Sequence, residues 1–195
     1  MSPNDADLIE YINALAMPDD RRKTAYSFPK DNSLSVVMLI KFGTDGVILG
    51  SDLENTTSLQ SGWKGVVSNY YSNNKPSLIK IPHHGSSNAH NDDLWDRILV
   101  YKPFSVLTVF NNSNLPRDED IQRISSLSQS LYVVGHRASK EKSIKTFERK
   151  VKSHLRSAKV IDVSPKIGIS RFRRKINEDN WHIDTFGSVS ILKSC

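Results

Sequence analysis

The stretch Ser77-Leu78-Ile79-Lys80-Ile81-Pro82-His83-His84-Gly85-Ser86-Ser87 decides the reading of this chain. A short β-rich run ends at a proline, and two adjacent histidines follow in a Gly/Ser turn. Upstream, Val47-Ile48-Leu49-Gly50-Ser51-Asp52-Leu53-Glu54 repeats the plan, an apolar strand delivering a carboxylate at its carboxyl end. Strand-end loops are where a rigid scaffold presents chemical groups. Aspartate and histidine together suit zinc or manganese. His84 lies 32 positions after Asp52, so the two loops must meet in space if the pair is to act together.

Outward from that core, the continuous apolar run Ser33 to Phe42 predicts a central strand. A turn at Gly43-Thr44-Asp45-Gly46 returns it as a hairpin through Val47 to Leu49. Ser58 to Tyr71 reads as helix around Trp63, Val66, Val67 and Tyr70, weakened by Gly62 and Gly65. Asn91-Asp92-Asp93 caps a helix carrying Leu94, Trp95, Ile98 and Leu99. Phe104 to Phe110 is a buried strand, and Pro116 suits the first turn of a helix bearing Ile121, Ile124 and Leu127. Leu131 to Val134 is the next strand.

At the ends of the chain, Asn4-Asp5 caps a helix with Leu8, Ile9, Ile12, Leu15 and Ala16 at helical spacing. An amphipathic helix over Lys140 to Arg156 carries the stripe Ile144, Phe147, Val151 and Leu155. Val160 to Val163, Ile167 to Phe172, His182 to Phe186 and Val189 to Leu192 predict closing strands. Alternating strands and helices followed by hairpins give a layered α/β fold, one domain over residues 1–195.

The 195 residues carry a formal net charge of +6, unevenly spread. Residues 1–100 hold 9 Lys and Arg against 12 Asp and Glu, whereas residues 101–195 hold 18 against 9. A basic half invites an anionic partner, nucleic acid above all, although a solvated basic surface has the same composition. The single cysteine, Cys195, excludes an internal disulfide framework and a cysteine metal cluster. No apolar run of about 18 residues occurs and no leader pattern is present, so the expectation is a soluble, cytoplasmic protein with no membrane partner.

Three segments in order carry a resemblance: Asn32-Ser33-Leu34, then Ile48 to Glu54, then Ile79-Lys80-Ile81-Pro82-His83-His84-Gly85-Ser86. They resemble the metallo-β-lactamase superfamily, in the branch of the carboxyl-terminal domain of bacterial competence DNA-uptake channels and related phosphodiesterases. The likeness is closest over residues 32–135; residues 136–195 add the basic helix and closing strands. It implies an αβ/βα sandwich with a two-metal site at one edge and a bacterial setting. Asp52 would bridge the two ions, zinc or manganese, and His84 would ligate one. His83 would orient or protonate the leaving group. Apart from the resemblance, the basic run Arg171 to Lys175, with Arg173 and Arg174, could grip the phosphate backbone of a phosphoester or nucleic-acid substrate, and Ser86 beside the histidines would contact it.

One departure is large. The family's His-x-His-x-Asp-His segment is absent, and no histidine precedes Asp52. A catalytic zinc takes about three protein ligands, so the chain reads as the second half of such a domain, lacking its amino-terminal strands. Three explanations stay open. The remaining ligands come from another polypeptide or an upstream segment; the scaffold has lost its metal and catalysis; or His90, His136 or His182 builds an unusual one-metal site. The first makes the protein a metal-dependent phosphodiesterase or nuclease-like hydrolase, incomplete as this chain alone. The second makes it an interaction module that pairs with a partner protein or a second copy through uncovered sheet edges. A metal-independent, basic nucleic-acid-binding domain is the third functional reading.

Overall fold

The computed structural model describes residues 8, 9, 12, 13, 31–137, 167–175, 178 and 180–193. A hairpin of β1 (Met38–Phe42) and β2 (Asp45–Leu49) opens a six-stranded sheet. Then β3 (Leu78–Lys80), β4 (Phe104–Thr108) and β5 (Ser130–Val134) add beside β2 in chain order, all parallel to it. A separate hairpin is formed by β6 (Gly168–Arg173) and β7 (His182–Gly187), and β8 (Val189–Lys193) closes the large sheet antiparallel to β5. The fold is mixed α/β.

Right-handed crossovers between parallel strands laid in chain order put every connecting segment on the same face. The connections are helical: α1 (Gly62–Ser68), a π-type turn over Leu94–Ile98, and α2 (Asp118–Leu127). The register aligns Ile48 with Ile79, Ile79 with Ser105 and Ser105 with Leu131. Because side chains alternate along a strand, these residues and Leu107 and Val133 share the covered face. Ile48, Ile79, Leu107, Leu131 and Val133 pack against Trp63, Val66 and Val67 of α1, Leu94, Trp95, Ile98 and Leu99 beyond β3, and Ile124 of α2. Each such side chain contributes on the order of 1.5–3 kcal/mol on burial.

The opposite face carries Met38, Leu49, Lys80, Val106, Tyr132 and Ile191 in one cross-strand row. Phe172 of β6 meets Tyr132 edge-on at 5.1 Å, and Trp181 meets Phe42 at 5.9 Å, so the β6–β7 hairpin covers part of that face. Met38, Ile40 and Ile191 remain about half exposed.

The amino ends of the parallel strands are locked by one carboxylate. Buried Asp45 accepts hydrogen bonds from Gly46 N at 2.6 Å, Ser77 N at 2.8 Å and Ser77 Oγ at 2.5 Å, and it pairs with the Arg174 guanidinium. Trp181 Nε1 donates to Ser77 Oγ at 2.9 Å, tying the second hairpin to the same point.

Two expectations are corrected. The run Ser33 to Phe42 is not a central strand. Asp31–Leu34 forms a single 3-10 turn, the strand begins at Met38, and β1 is an edge of the six-stranded sheet. Its apolar residues serve two faces: Val37 is buried in the core, while Val36, Met38 and Ile40 point the other way. The helix expected over 58–71 shrinks to Gly62–Ser68, because Gly62 takes a φ of +59° and Leu59 stays exposed. Leu8, Ile9, Ile12 and Asn13 are helical, as expected. Most of the residues expected to form that amino-terminal helix, the helix expected over 140–156 and the strand expected over 160–163 lie outside the described residues. Among the described residues, no helix is long and apolar enough to cross a membrane.

Candidate functional site

The loops that leave β2, β3 and β4 emerge at the carboxyl edge of the parallel strands, where open α/β sheets bind ligands. Two of them are joined backbone to backbone. Gly50 N donates to Lys80 O at 3.1 Å, and His83 N donates to Ser51 O at 2.9 Å. The approach is close enough to require glycine: a Cβ on Gly50 would stand 2.8 Å from Lys80 O.

After Pro82 the chain takes an uncommon path. His83 has φ 43° and ψ 47°, His84 has φ 53° and ψ 25°, and Gly85 has φ 84°. Non-glycine residues seldom enter this left-handed region, and each one held there costs on the order of 1–3 kcal/mol. Ser51 on the facing loop is left-handed as well, at φ 48°. Strain of this kind persists only where the surroundings impose it, and it concentrates at sites that do chemistry. The consequence is that both imidazoles project from one tight turn.

The carboxylate loop is fixed from the other side. Trp63, fully buried, donates from Nε1 to Leu53 O at 2.8 Å and from its backbone N to Glu54 O at 3.3 Å. Asn55 N donates to Asn88 O at 2.8 Å, and Asn91 Nδ2 donates to Asn55 Oδ1 at 3.2 Å. These contacts bind the Asp52 loop to the segment following the histidines.

The two loops bring together two histidine–carboxylate pairs. His84 Nδ1 lies 2.9 Å from Thr108 O and 3.0 Å from Thr108 Oγ1, and its ring stacks on Phe110 at 5.0 Å. A carbonyl oxygen only accepts, so Nδ1 carries the proton and Nε2 of the neutral ring keeps its lone pair. That Nε2 stands 3.9 Å from Asp52 Oδ1. His83 Nδ1 stands 3.1 Å from Glu54 Oε1 but out of line with it, a close pair without a formed hydrogen bond. Asn32 Nδ2 donates to the same Glu54 oxygen at 2.8 Å and lies 3.5 Å from His83 Nε2. The two imidazole centroids are 6.4 Å apart.

Asp52 and His84 fit a zinc or manganese ion in donor type. A histidine whose far nitrogen is held by a carbonyl is the usual form of a metal-ligating imidazole. Bonds of about 2.0–2.2 Å to each donor reach across a 3.9 Å gap. The number of donors falls short. Among the described residues, no group of three or more His, Cys, Asp or Glu side chains is arranged to hold a metal.

The histidines considered for a one-metal site are elsewhere or engaged. His90 pairs with Asp92 at 3.1 Å, and His182 pairs with Glu178 at 3.1 Å on the β6–β7 hairpin. His136 follows β5 at the same sheet edge, its carbonyl accepting from Asn111 Nδ2 at 2.9 Å. Burial, reinforced by the charge of Arg123, lowers the pKa of His90 from the ordinary 6.5, and Asp92 opposes the shift.

Asp52, His83, His84 and half-buried Ser86 gather at the turn. Arg173 and Arg174 do not. Arg174 is held by Asp45 at the amino end of the parallel strands, the opposite end from the histidines, and Arg173 pairs with Asp184 at 3.0 Å. Sequence reasoning missed Glu54, Asn32, Thr108 and Lys80. Glu54 and Lys80 sit inside the very segments that were singled out, and the signal for Thr108 was its place at the end of a strand. Lys80 Nζ donates to Ile81 O at 3.0 Å; burial lowers its pKa from the ordinary 10.5, and the Asp52 charge works against that.

No protein-family model, curated protein or solved structure matches the chain.

Proposed function

We propose that the chain belongs to a metallo-β-lactamase-like hydrolase of phosphoesters and contributes half of its metal site, the remaining ligands coming from outside the described residues. The observation that carries this reading is His84. Its Nδ1 is fixed on the Thr108 carbonyl, which leaves the Nε2 lone pair available, with Nε2 3.9 Å from Asp52. Support also comes from the order of the three segments and from the strained turn at the carboxyl edge of the sheet.

In this reading Asp52 and His84 are the donors to zinc or manganese. The bound ion would supply Lewis acidity and a water that ionises near neutral pH. His83, whose ring lies beside Glu54 and Asn32, would orient or protonate the leaving group. Ser86, on the same turn, lies where a phosphoryl oxygen would approach. The Thr108 contacts and the stack on Phe110 hold the His84 ring in that arrangement, so its orientation is set before substrate arrives.

A test is to purify the protein without chelator and measure both its metal content and its hydrolysis of bis(p-nitrophenyl) phosphate. Retained zinc or manganese, lost in a D52N/H84N double variant, is expected, with chelator-sensitive hydrolysis appearing where the remaining ligands are supplied. Hydrolysis indifferent to chelator and to the double variant would refute the metal reading.

A second reading is favoured by one further observation, the exposed edge of the sheet at β1 among the described residues. Edge strand β1 and the half-exposed Val36, Met38 and Ile40 border an open groove of about 590 Å³ that also touches Tyr70 and Tyr71. Such an edge is a pairing surface. In this reading the chain is a non-catalytic module that docks a protein. Absence of metal and of hydrolysis in a fully folded protein, together with a stable complex or dimer, would decide for it.

A further inference from the structure

The histidine turn is held from behind by α2. Asp120, at the third position of that helix, is almost fully buried, its side chain only 1% exposed. One oxygen accepts from Arg117 N at 3.1 Å, which caps the helix, and the other accepts from Arg123 Nη2 at 2.7 Å. The same Arg123 nitrogen donates to Gly85 O at 2.7 Å. Gly85 is the last of the three left-handed residues, and Ile124, the next residue of α2, lies beneath it, 3.0 Å from where a Cβ would be.

A helix cap needs only the Arg117 contact. The guanidinium that reaches 38 residues back to a strained carbonyl does something else. Hydrogen bonds to a charged group are worth more than neutral ones, enough to offset the strain of one left-handed residue. Aligning the Gly85 carbonyl fixes the peptide at the exit of the turn, and with it the path through His84.

We propose that Arg123, seated by Asp120, is a positioning residue for His83 and His84. It holds the turn in its left-handed form and so aims the His84 imidazole at Asp52. The inference rests on the reading of the two histidines as the chemical groups of the site, and it concerns α2, which carries no metal donor in that reading.

The experiment compares wild type, R123Q, R123K and D120N as full chains, without added metal, by their His83 and His84 imidazole and backbone NMR signals and by thermal melting. The Asn oxygen of D120N still caps Arg117, so that variant removes the seat of Arg123 and leaves the helix start intact. R123Q and D120N are expected to move the His83 and His84 signals, with R123K restoring most of the wild-type pattern. Zinc titration is then expected to show about 10–100-fold weaker binding in R123Q, the usual effect of losing a group that orients a ligand. Unmoved histidine signals in R123Q and D120N, whether or not melting changes, overturn the proposal and leave Arg123 a helix-stabilising residue. Wild-type protein that binds no zinc contradicts the proposed function, while the NMR comparison still decides the role of Arg123.

Discussion

Replacing Gly85 by alanine tests how tightly the histidine turn is imposed. At an unstrained site Gly→Ala stabilises a protein by about 0.4–1 kcal/mol, because the unfolded chain loses freedom. Here two penalties oppose that gain. Gly85 sits at φ 84°, where an L side chain is strained by roughly 1–2 kcal/mol. The new methyl would also stand 3.0 Å from Ile124 Cδ1 and 3.5 Å from Leu107 Cδ2, an overpacking that typically costs about 1–3 kcal/mol. The expected net loss is about 2–4 kcal/mol, a fall in Tm on the order of 10 °C for a chain of this length. Urea unfolding, with an unchanged dependence on denaturant, measures it. Ile124→Val removes the nearest contacting carbon, so the double variant should recover roughly 0.5–2 kcal/mol relative to additivity. A G85A protein as stable as wild type, or more stable, would refute the argument that the turn is sterically enforced.

Three other outcomes follow from the same geometry. Asp45→Asn removes the charge that Arg174 and Ser77 surround and should cost about 3–5 kcal/mol in urea unfolding, the usual penalty for stranding one member of a buried pair. His90 has its pKa lowered, so between that value and 6.5 the unfolded chain binds more protons. Its share of stability is present above 6.5 and lost as pH falls through the lowered value; R123Q should raise the His90 titration midpoint followed by NMR. Lys80 is lowered from 10.5 by burial, so the same sign applies at high pH. Stability should rise as pH climbs toward 10.5 in wild type, and this rise should vanish in Lys80→Met.

Much of the architecture was legible because strand and helix periods differ. The apolar runs at Val47 to Leu49, Leu78 to Ile81, Phe104 to Thr108 and Leu131 to Val134 all became neighbouring parallel strands. The run at 33–42 was misleading for a physical reason. A strand whose two faces are both apolar looks central in sequence, yet one face of β1 packs in the core while the other stays open. The glycines at 62 and 65 weakened the helix expected over 58–71, and the helix that forms starts at Gly62, a left-handed residue.

At the site, the meeting of Asp52 with His84 was legible because both follow apolar strands. The partners of those residues were not. Thr108 contributes a backbone carbonyl, which no side-chain pattern reports, and Arg123 acts on a carbonyl 38 residues away. Arg173 and Arg174 read as substrate contacts in a basic run, whereas Asp184 across the hairpin and Asp45, 129 positions earlier, hold them in place.

The central claim is that Asp52 and His84 act together as donors to a metal ion. Manganese(II) titration of the isotope-labelled full chain tests it most directly, since a paramagnetic ion broadens signals within reach even when binding is weak. The account predicts selective broadening at Asp52, His83, His84 and Thr108, abolished in a D52A/H84A protein that remains folded. Broadening centred on other residues, or the same pattern in both proteins, would contradict it.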